Sequence, residues 1–504
     1  MILICGASGL VGKEMCQLLD QKNINYIGTY NTNKISKNNM FKLDFNNATE
    51  IEDFMLKHKI KICIFSIVQR LTDICEKDWQ ETKNVNIDMV YNTSYICNKL
   101  NIKFIHISTD YVFDGMSQPN YPDSVKNPLQ NYGISKLISE YRVINNCCTN
   151  YVIIRTPVLY SNLSKIHENA VTLIGKNLMN LKNKTFEEDN YSIRRPLFIP
   201  DLCKFICDSL EDTYQGVYHF YNPYNKFTKY EVCNKIADII GISSYKIMAN
   251  HKQSSGIAPR PYDTQLKDNR INIEKYNFTN FDQTLNKCFS HFKFIPINGD
   301  NVNNIFLMID LDGTLINSSF AHFNSYKVVF EKYGKQMCSY NEWEDIINNK
   351  HFSDYMNNVF DKSMIETIKK EKIMELNNQH IEYTTNSDKF LQYIIENNIN
   401  FCIVTNTNRQ TVEIFKTKCP ILSKIENWVC KNDFEYNKPN PECYKLAIRK
   451  FYKNENHIIG IEDSKVGYDA LKGVTDYIYI FNNYELFKNN DGYLFDDYNN
   501  ILHI

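Results

Sequence analysis

The 504-residue chain is short of three things, and each shortage removes a class of protein. Net charge is nearly absent: 57 Lys and Arg stand against 58 Asp and Glu, leaving a formal −1 and no basic stripe for a nucleic-acid partner. Arg194 and Arg195 are adjacent, but two arginines are a site feature only. No apolar run reaches bilayer-crossing length, and the first apolar stretch, Met1 to Cys5, leads straight into glycines with no charged leader before it. No CxxC pair occurs among the 16 scattered cysteines, and Cys147-Cys148 and the Cys203/Cys207 pair lack metal partners at usual spacing. Nucleic-acid binding, a membrane span and a cysteine-held metal are thereby set aside. Buried free thiols in a reducing, cytoplasmic compartment are expected.

What is present is ordinary globular material, 43% apolar and 23% charged, in a chain too long for one hydrophobic core. Short apolar runs alternate with amphipathic stretches such as Lys13–Gln21 and Asp88–Leu100, the pattern of βαβ units and a parallel sheet. Strand candidates in the first half are Ile2–Cys5, Tyr26–Thr29, Ile62–Ser66, Phe104–Ser108 and Val152–Arg155. A second series starts afresh with Ile305–Ile309, Phe401–Thr405, Ile458–Ile461 and Tyr477–Phe481. The polar stretch around Pro296 to Asn304 reads as the linker. The expected fold is α/β in two domains, 1–295 and 304–504, the first a doubly wound dinucleotide-binding sheet.

Gly6-Ala7-Ser8-Gly9-Leu10-Val11-Gly12 lies between the first strand and a helix. Glycines there let a pyrophosphate approach the backbone and rest on the helix N-terminus. After the second strand comes Thr29-Tyr30-Asn31-Thr32-Asn33-Lys34, with Lys37 following and no carboxylate to hold a free ribose hydroxyl. Lys34 and Lys37 could receive a 2′-phosphate, which favours NADP(H); as solvated loop residues they would leave NAD(H) open. Downstream, Tyr132 and Lys136 are four apart and share a helix face, where a cation helps a phenol act near neutrality. Thr109, or Ser108, would hydrogen-bond a reacting carbonyl.

This half resembles the extended short-chain dehydrogenase/reductases, in the branch of dTDP-4-dehydrorhamnose reductase and the regulatory β subunit of methionine adenosyltransferase. The likeness runs from Met1 to about Phe292. It rests on the glycine turn, STDYVFDG at 108–115, YGISK at 132–136, RTPVLY at 155–160, RPLFIPDL at 195–202, TKYEVCNKIAD at 228–238 and APRPYDTQL at 258–266. The resemblance implies a catalytic trio of Thr109, Tyr132 and Lys136, with Tyr132 as proton donor to a keto group on a nucleotide-linked sugar. Cofactor contacts are expected from Gly6, Ser8, Gly9, Leu10, Val11, Gly12, Tyr30, Asn31, Lys34, Asp44 and Ser66 as well as Tyr132 and Lys136. Arg194, Arg195 and Arg260 would bind substrate phosphate, surface ion pairing being the alternative. One departure is Phe65-Ser66-Ile67-Val68, where the branch usually has small residues beside the nicotinamide.

The second half opens with Asp310-Leu311-Asp312-Gly313-Thr314-Leu315 beyond an apolar strand. Two carboxylates one residue apart need a divalent cation and a phosphoryl group to compensate them. Asp310 is the candidate nucleophile and Asp312 the acid–base. Thr405 and Asn406 end a second strand, Lys438 precedes a helix, and Glu462-Asp463-Ser464 ends a third strand with oxygen ligands for Mg²⁺. These four fragments resemble the haloacid dehalogenase superfamily over about 304–504, with metal ligands expected from Asp310, Asp312, Glu462 and Asp463. A helical stretch from Ile316 to about Thr384 fits a substrate-selecting cap whose aromatics, Phe320, Phe323, Tyr326 and Phe330, form its core.

Together these readings describe a bifunctional enzyme using NADP(H) and Mg²⁺ on a nucleotide sugar and a small phosphorylated metabolite. The rival makes the first half a cofactor-binding regulatory partner of a methionine adenosyltransferase; association with a second copy of the chain is also open.

Overall fold

The computed structural model of the chain describes residues 1–31, 35, 37–147, 150–161, 168–180, 185–242, 247–253, 256–289, 294–297, 303–349 and 352–502. The chain divides into two compact α/β units, Met1–Leu178 with Thr185–Ser290, and Met179–Lys184 with His291–Ile504.

The first unit is built on a seven-stranded parallel sheet. Its order is Gly216–His219, Tyr151–Thr156, Lys103–Thr109, Ile62–Phe65, Ile2–Cys5, Tyr26–Tyr30, Met40–Lys42. Ile2–Cys5 is wholly apolar and wholly buried, as a central parallel strand must be when both faces are covered. Its side chains alternate between two cores. Ile2 and Ile4 join Met15, Leu19, Ile64 and Ile105; Leu3 and Cys5 join Ile51, Phe65, Val90 and Phe104. Strand order reverses between Ile2–Cys5 and Ile62–Phe65, which opens a crevice at their carboxyl ends. Helix Leu10–Gln21 starts there behind Gly9, whose lack of a side chain leaves the first-turn amides without a local cap. Helix Asn131–Cys147 buries Lys136, Ser139, Glu140, Val143 and Cys147 along one stripe.

The second unit has a six-stranded parallel sheet in the order Trp428–Val429, Asn400–Val404, Ile305–Ile309, His457–Glu462, Tyr477–Phe481, Tyr493–Phe495. The central strand is again all apolar and all buried. An antiparallel ribbon of Ile316–Asn317 with Glu382–Tyr383 gathers both chain passages into the cap. The cap comprises helices Ser319–Lys332, Tyr340–Asn349, Phe352–Val359 and Lys362–Leu376. It has its own core, in which Phe323, Phe330, Trp343 and Met356 are buried and Tyr326 is partly so. Phe320 departs from the expected core role: it is 59% exposed.

The stretch read as linker begins inside the second unit. Phe294, Ile295 and Ile297 are buried, the Tyr479 hydroxyl donates to the Ile295 carbonyl at 2.7 Å, and Ile297 bridges to Leu502. These apolar side chains find a core there, and the two compact units divide at Ser290/His291. Residues 298–302 lie outside the described residues. Among the described residues no helix is long and apolar enough to cross a membrane. Cys5, Cys63, Cys97 and Cys203 are buried free thiols; Cys148 lies outside the described residues.

Candidate active sites

In the first unit the glycine turn sits at the crevice. Gly6 has φ +84°, and a Cβ at Gly12 would lie 2.2 Å from the Gly6 carbonyl oxygen, so helix and turn meet only because both lack side chains. Leu10 and Val11 pack on the core below, while Ser8 is half-buried and Gly9 exposed. Ser66 donates to the Cys5 carbonyl at 2.7 Å, and Ile67 presses on the Gly6 turn, so the unusual segment forms a tight wall. Tyr30 is half-buried, Asn31 exposed, and Asp44 exposed with its carboxylate accepting from the Asn46 amide at 3.0 Å. Lys34 lies outside the described residues, and Lys37 is ion-paired with Asp20 at 2.9 Å.

Strand Lys103–Thr109 delivers Thr109 to the same edge, where its hydroxyl donates to the Asp110 carboxylate at 3.1 Å and accepts from the Tyr111 amide at 3.2 Å. Ser108 is not available as the alternative. It donates to Glu140 at 2.5 Å, and Glu140 is clamped by Arg155 in a fully buried pair at 2.7 Å. Burial raises the Tyr132 phenol above its ordinary range, with the Thr109 hydroxyl opposing, so the phenol keeps its proton at neutral pH. Lys136 is turned inward: Nζ donates to the Ile107 carbonyl at 2.8 Å and lies 3.2 Å from His106 Nε2. Burial lowers it to about 7, against the charge of Glu140.

The three arginines differ. Arg195 spends Nε and Nη2 on Asp263 at 3.1 and 2.9 Å, both partners being nearly buried, so it braces the fold and has no fork left for substrate. Arg194 holds Asp189 only at 3.4 Å, and Arg260 pairs at 3.1 Å with a half-exposed Asp73. Both can exchange those partners for a phosphate. Arg70 was not anticipated. It reaches from the Ser66 wall to the Glu168 carbonyl, and burial lowers its guanidinium below the usual arginine value.

In the second unit three parallel neighbours end at one edge and supply Asp310, Thr405 and Glu462. Lys438 Nζ is the hub, donating to Asp310 at 2.6 Å, Glu462 at 2.7 Å and the Val404 carbonyl at 2.9 Å. Burial works against its charge, yet Asp310 and Glu462 outweigh burial and hold it above its usual range. Glu462 also accepts from Tyr444 at 2.8 Å and Ser464 at 3.1 Å. Asp310, Glu462 and Asp463 each offer a carboxylate oxygen, all within 4.8 Å of one another. Burial and the Glu462 charge push Asp310 well up and Asp463 to about 7. Three carboxylates around one ammonium leave a surplus of negative charge, and hard oxygen donors fit a divalent cation.

The side chain of Asp312 is not in that cluster, contrary to its expected place among the metal ligands. Three hydroxyls take it elsewhere: Thr407 at 2.7 Å, Thr405 at 3.1 Å and Ser318 at 2.5 Å. His322 lies 3.7 Å away. Burial would raise the Asp312 carboxyl, but His322 and then Ser318 and Thr407 overcome it and hold it below the carboxylate range. Thr405 thus serves Asp312 here, and the Asn406 side-chain oxygen accepts from the Lys438 amide at 3.2 Å. Ser318, His322 and Thr407 escaped the sequence reading, as did Lys372, whose ammonium meets His322 Nδ1 at 2.5 Å from the cap. Ser318 and His322 do carry a signal, since they sit four apart where the cap helix begins.

A doubly wound sheet with a glycine turn at its switch point, and threonine, tyrosine and lysine on the following strand and helix, defines a nucleotide-binding oxidoreductase fold in the first unit. The RmlD substrate binding domain family matches residues 1–294, and the chain belongs to that family. The haloacid dehalogenase-like hydrolase family matches residues 307–474, the second unit. Methionine adenosyltransferase 2 subunit beta of Xenopus tropicalis is 27% identical over 275 residues, 53% of this chain and 80% of that protein. Spore coat polysaccharide biosynthesis protein SpsK of Bacillus subtilis (strain 168) is 24% identical over 271 residues, 54% and 90% of the two chains. A solved dTDP-4-dehydrorhamnose reductase from Clostridium acetobutylicum is 23% identical, covering 57% of this chain and 97% of its own, with a TM-score of 0.49.

Proposed function

We propose that the first unit reduces a 4-keto-6-deoxy nucleotide sugar with NADPH, and that the second is a Mg²⁺-dependent phosphomonoesterase working through an aspartyl-phosphate. Thr109 at the end of its strand and a proton-bearing Tyr132 on the helix Asn131–Cys147, in a unit that opens on the glycine turn, carry the first reading. The positive φ of Gly6, the 2.2 Å gap at Gly12 and the uncapped first turn behind Gly9 fit a dinucleotide pyrophosphate. When bound, reduced nicotinamide supplies the hydride. Thr109 orients the carbonyl, and Tyr132 gives up its proton as negative charge develops on oxygen. NADPH is preferred because no carboxylate follows Tyr26–Tyr30. Arg194 and Arg260 take the substrate diphosphate, and Arg195 drops out of that set. Buried free thiols suit a cytoplasmic setting.

The Lys438-centred carboxylate cluster carries the second reading. Asp310 attacks phosphorus in line, Lys438 neutralises charge, and Asp312 protonates the leaving oxygen and then activates water. When bound, Mg²⁺ screens the negative charge gathered by nucleophile and phosphate. Because its donors hold Asp312 ionised, substrate has to displace a donor before Asp312 can act as an acid. A panel of 4-keto nucleotide sugars with NADPH, and aryl phosphates with Mg²⁺ or chelator, tests both activities.

The likeness to methionine adenosyltransferase 2 subunit beta, with the inward turn of Lys136, favours a second reading of the first unit as a regulatory partner of such an enzyme. It requires no reduction across the panel and altered adenosyltransferase kinetics on mixing.

A further inference from the structure

Lys136 is held from behind by a side chain that no catalytic motif includes. His106, on strand Lys103–Thr109, is completely buried, and its Nε2 faces Lys136 Nζ at 3.2 Å and Ser139 Oγ at 3.0 Å. The Ser139 hydroxyl also lies 2.7 Å from the Lys136 carbonyl. Its other ring nitrogen, Nδ1, has no partner among the described residues. Burial, followed by the Lys136 charge, keeps the imidazole well below its ordinary pKa, so the ring is neutral at physiological pH. A neutral ring that accepts at Nε2 carries its proton on Nδ1, where it goes unused. Of the two groups at Nε2, Lys136 as an ammonium can only donate, so that contact requires the ring nitrogen to accept.

We infer that His106 is a positioning residue of the reductase site: as a neutral acceptor it draws Lys136 Nζ inward and governs when that side chain bears charge. The inference rests on the proposed reading only for its catalytic consequence. The other charged and titratable groups facing the pair leave this role open. Glu140, one helical turn on, is saturated by Arg155 and Ser108; Tyr132 keeps its proton; Phe65 and Phe104 flank the imidazole with apolar rings. A carboxylate at 106 would hold the lysine permanently charged. A neutral imidazole adds no opposing charge to the burial that brings the lysine near neutrality, and two of its three donors go to Ile107 and His106, leaving one for the site.

The test compares wild type, His106→Gln, which keeps an acceptor, and His106→Leu, which removes it. NADPH affinity by fluorescence and keto-sugar turnover are each followed from about pH 6 to 9. Without its acceptor the ammonium is harder to maintain, so in His106→Leu the limb that reports Lys136 moves down by about one pH unit. His106→Gln should restore most of it. Identical limbs in all three proteins, with His106→Leu merely less heat-stable, would overturn the inference. If His106→Leu does not fold, His106→Asn, which pulls the acceptor back, takes its place. A binding limb that moves while wild type reduces no sugar sinks the reductase reading and keeps the role of His106. Reduction with an unmoved limb does the opposite, and no NADPH binding at any pH ends both.

Discussion

Asp310 touches the cation hub directly, with Lys438 Nζ 2.6 Å from its carboxylate, so Asp310→Asn removes a nucleophile while preserving shape. Hydrolysis of aryl phosphates should fall by roughly 10³-fold or more, because every later step needs the phosphoaspartate. Near-wild-type turnover in that variant would exclude the mechanism. A second residue-level expectation concerns acid stability. His219 is fully buried, donates through Nδ1 to the Asn120 carbonyl at 3.1 Å, and lies 3.2 Å from Arg155. Burial and the Arg155 charge push it down to about 3. The unfolded chain binds a proton below about 6.5, the native one does not, so its stabilisation is complete above that pH and lost as pH falls. At pH 5 the loss from this group alone is about 2 kcal/mol. The fall in Tm between pH 7.5 and 5 should shrink in His219→Gln, whatever that variant costs at neutral pH. Residues at strand ends, such as Thr109, Asp310 and Glu462, were legible because a polar group after an apolar run marks the reactive edge of a parallel sheet. His106, Ser318 and Lys372 were not. Their meaning lies in partners 30, 6 and 50 residues away along the chain; only Ser318 has a local cue, the spacing to His322 at the start of the cap helix.

At the scale of elements, two glycines hold helix against site. A Cβ on Gly12 would meet backbone, the Gly6 oxygen at 2.2 Å and Ala7 Cα at 2.7 Å, neither of which can swing aside. A Cβ on Gly467 would fall 1.8 Å from Glu462 Oε1, the atom that accepts from Lys438. Gly12→Ala should therefore weaken NADPH binding about 100-fold, corresponding to roughly 3 kcal/mol, and Gly467→Ala should depress hydrolysis by a similar factor. Binding isotherms and phosphatase rates measured on both variants check this; an unaffected Gly12→Ala would mean the turn does not seat the cofactor. The same elements show what pattern reading can reach. Ile2–Cys5 and Ile305–Ile309 coincide with their expected spans because a buried parallel strand is one unbroken apolar run. Met40–Lys42, Trp428–Val429 and Gly216–His219 passed unnoticed, being two to four residues long or opening on glycine, and they exist because a neighbouring strand templates them.

For the whole molecule, the question is whether two units on one chain behave as two proteins. Each has its own sheet, its own core and its own candidate site residues, and no candidate catalytic side chain is shared. Independent units should melt in two calorimetric transitions, each responding to its own ligand. A ligand at about 100 times its Kd adds roughly 2.7 kcal/mol to the unit that binds it. For units of this size that is a rise of about 5–10 °C in one transition. NADPH should move one transition only, and Mg²⁺ with orthovanadate, a phosphoryl mimic, only the other. Variants assign them: Gly12→Ala should abolish the NADPH response and leave the vanadate response intact, whereas Asp310→Asn should weaken the second alone. Tyr132→Phe adds a chemical control, because it should keep the NADPH shift, stop keto-sugar reduction and leave hydrolysis unchanged. A single transition raised by either ligand would show instead that the units fold as one cooperative body. In that case each loss-of-function variant has to be judged against the stability of the whole chain.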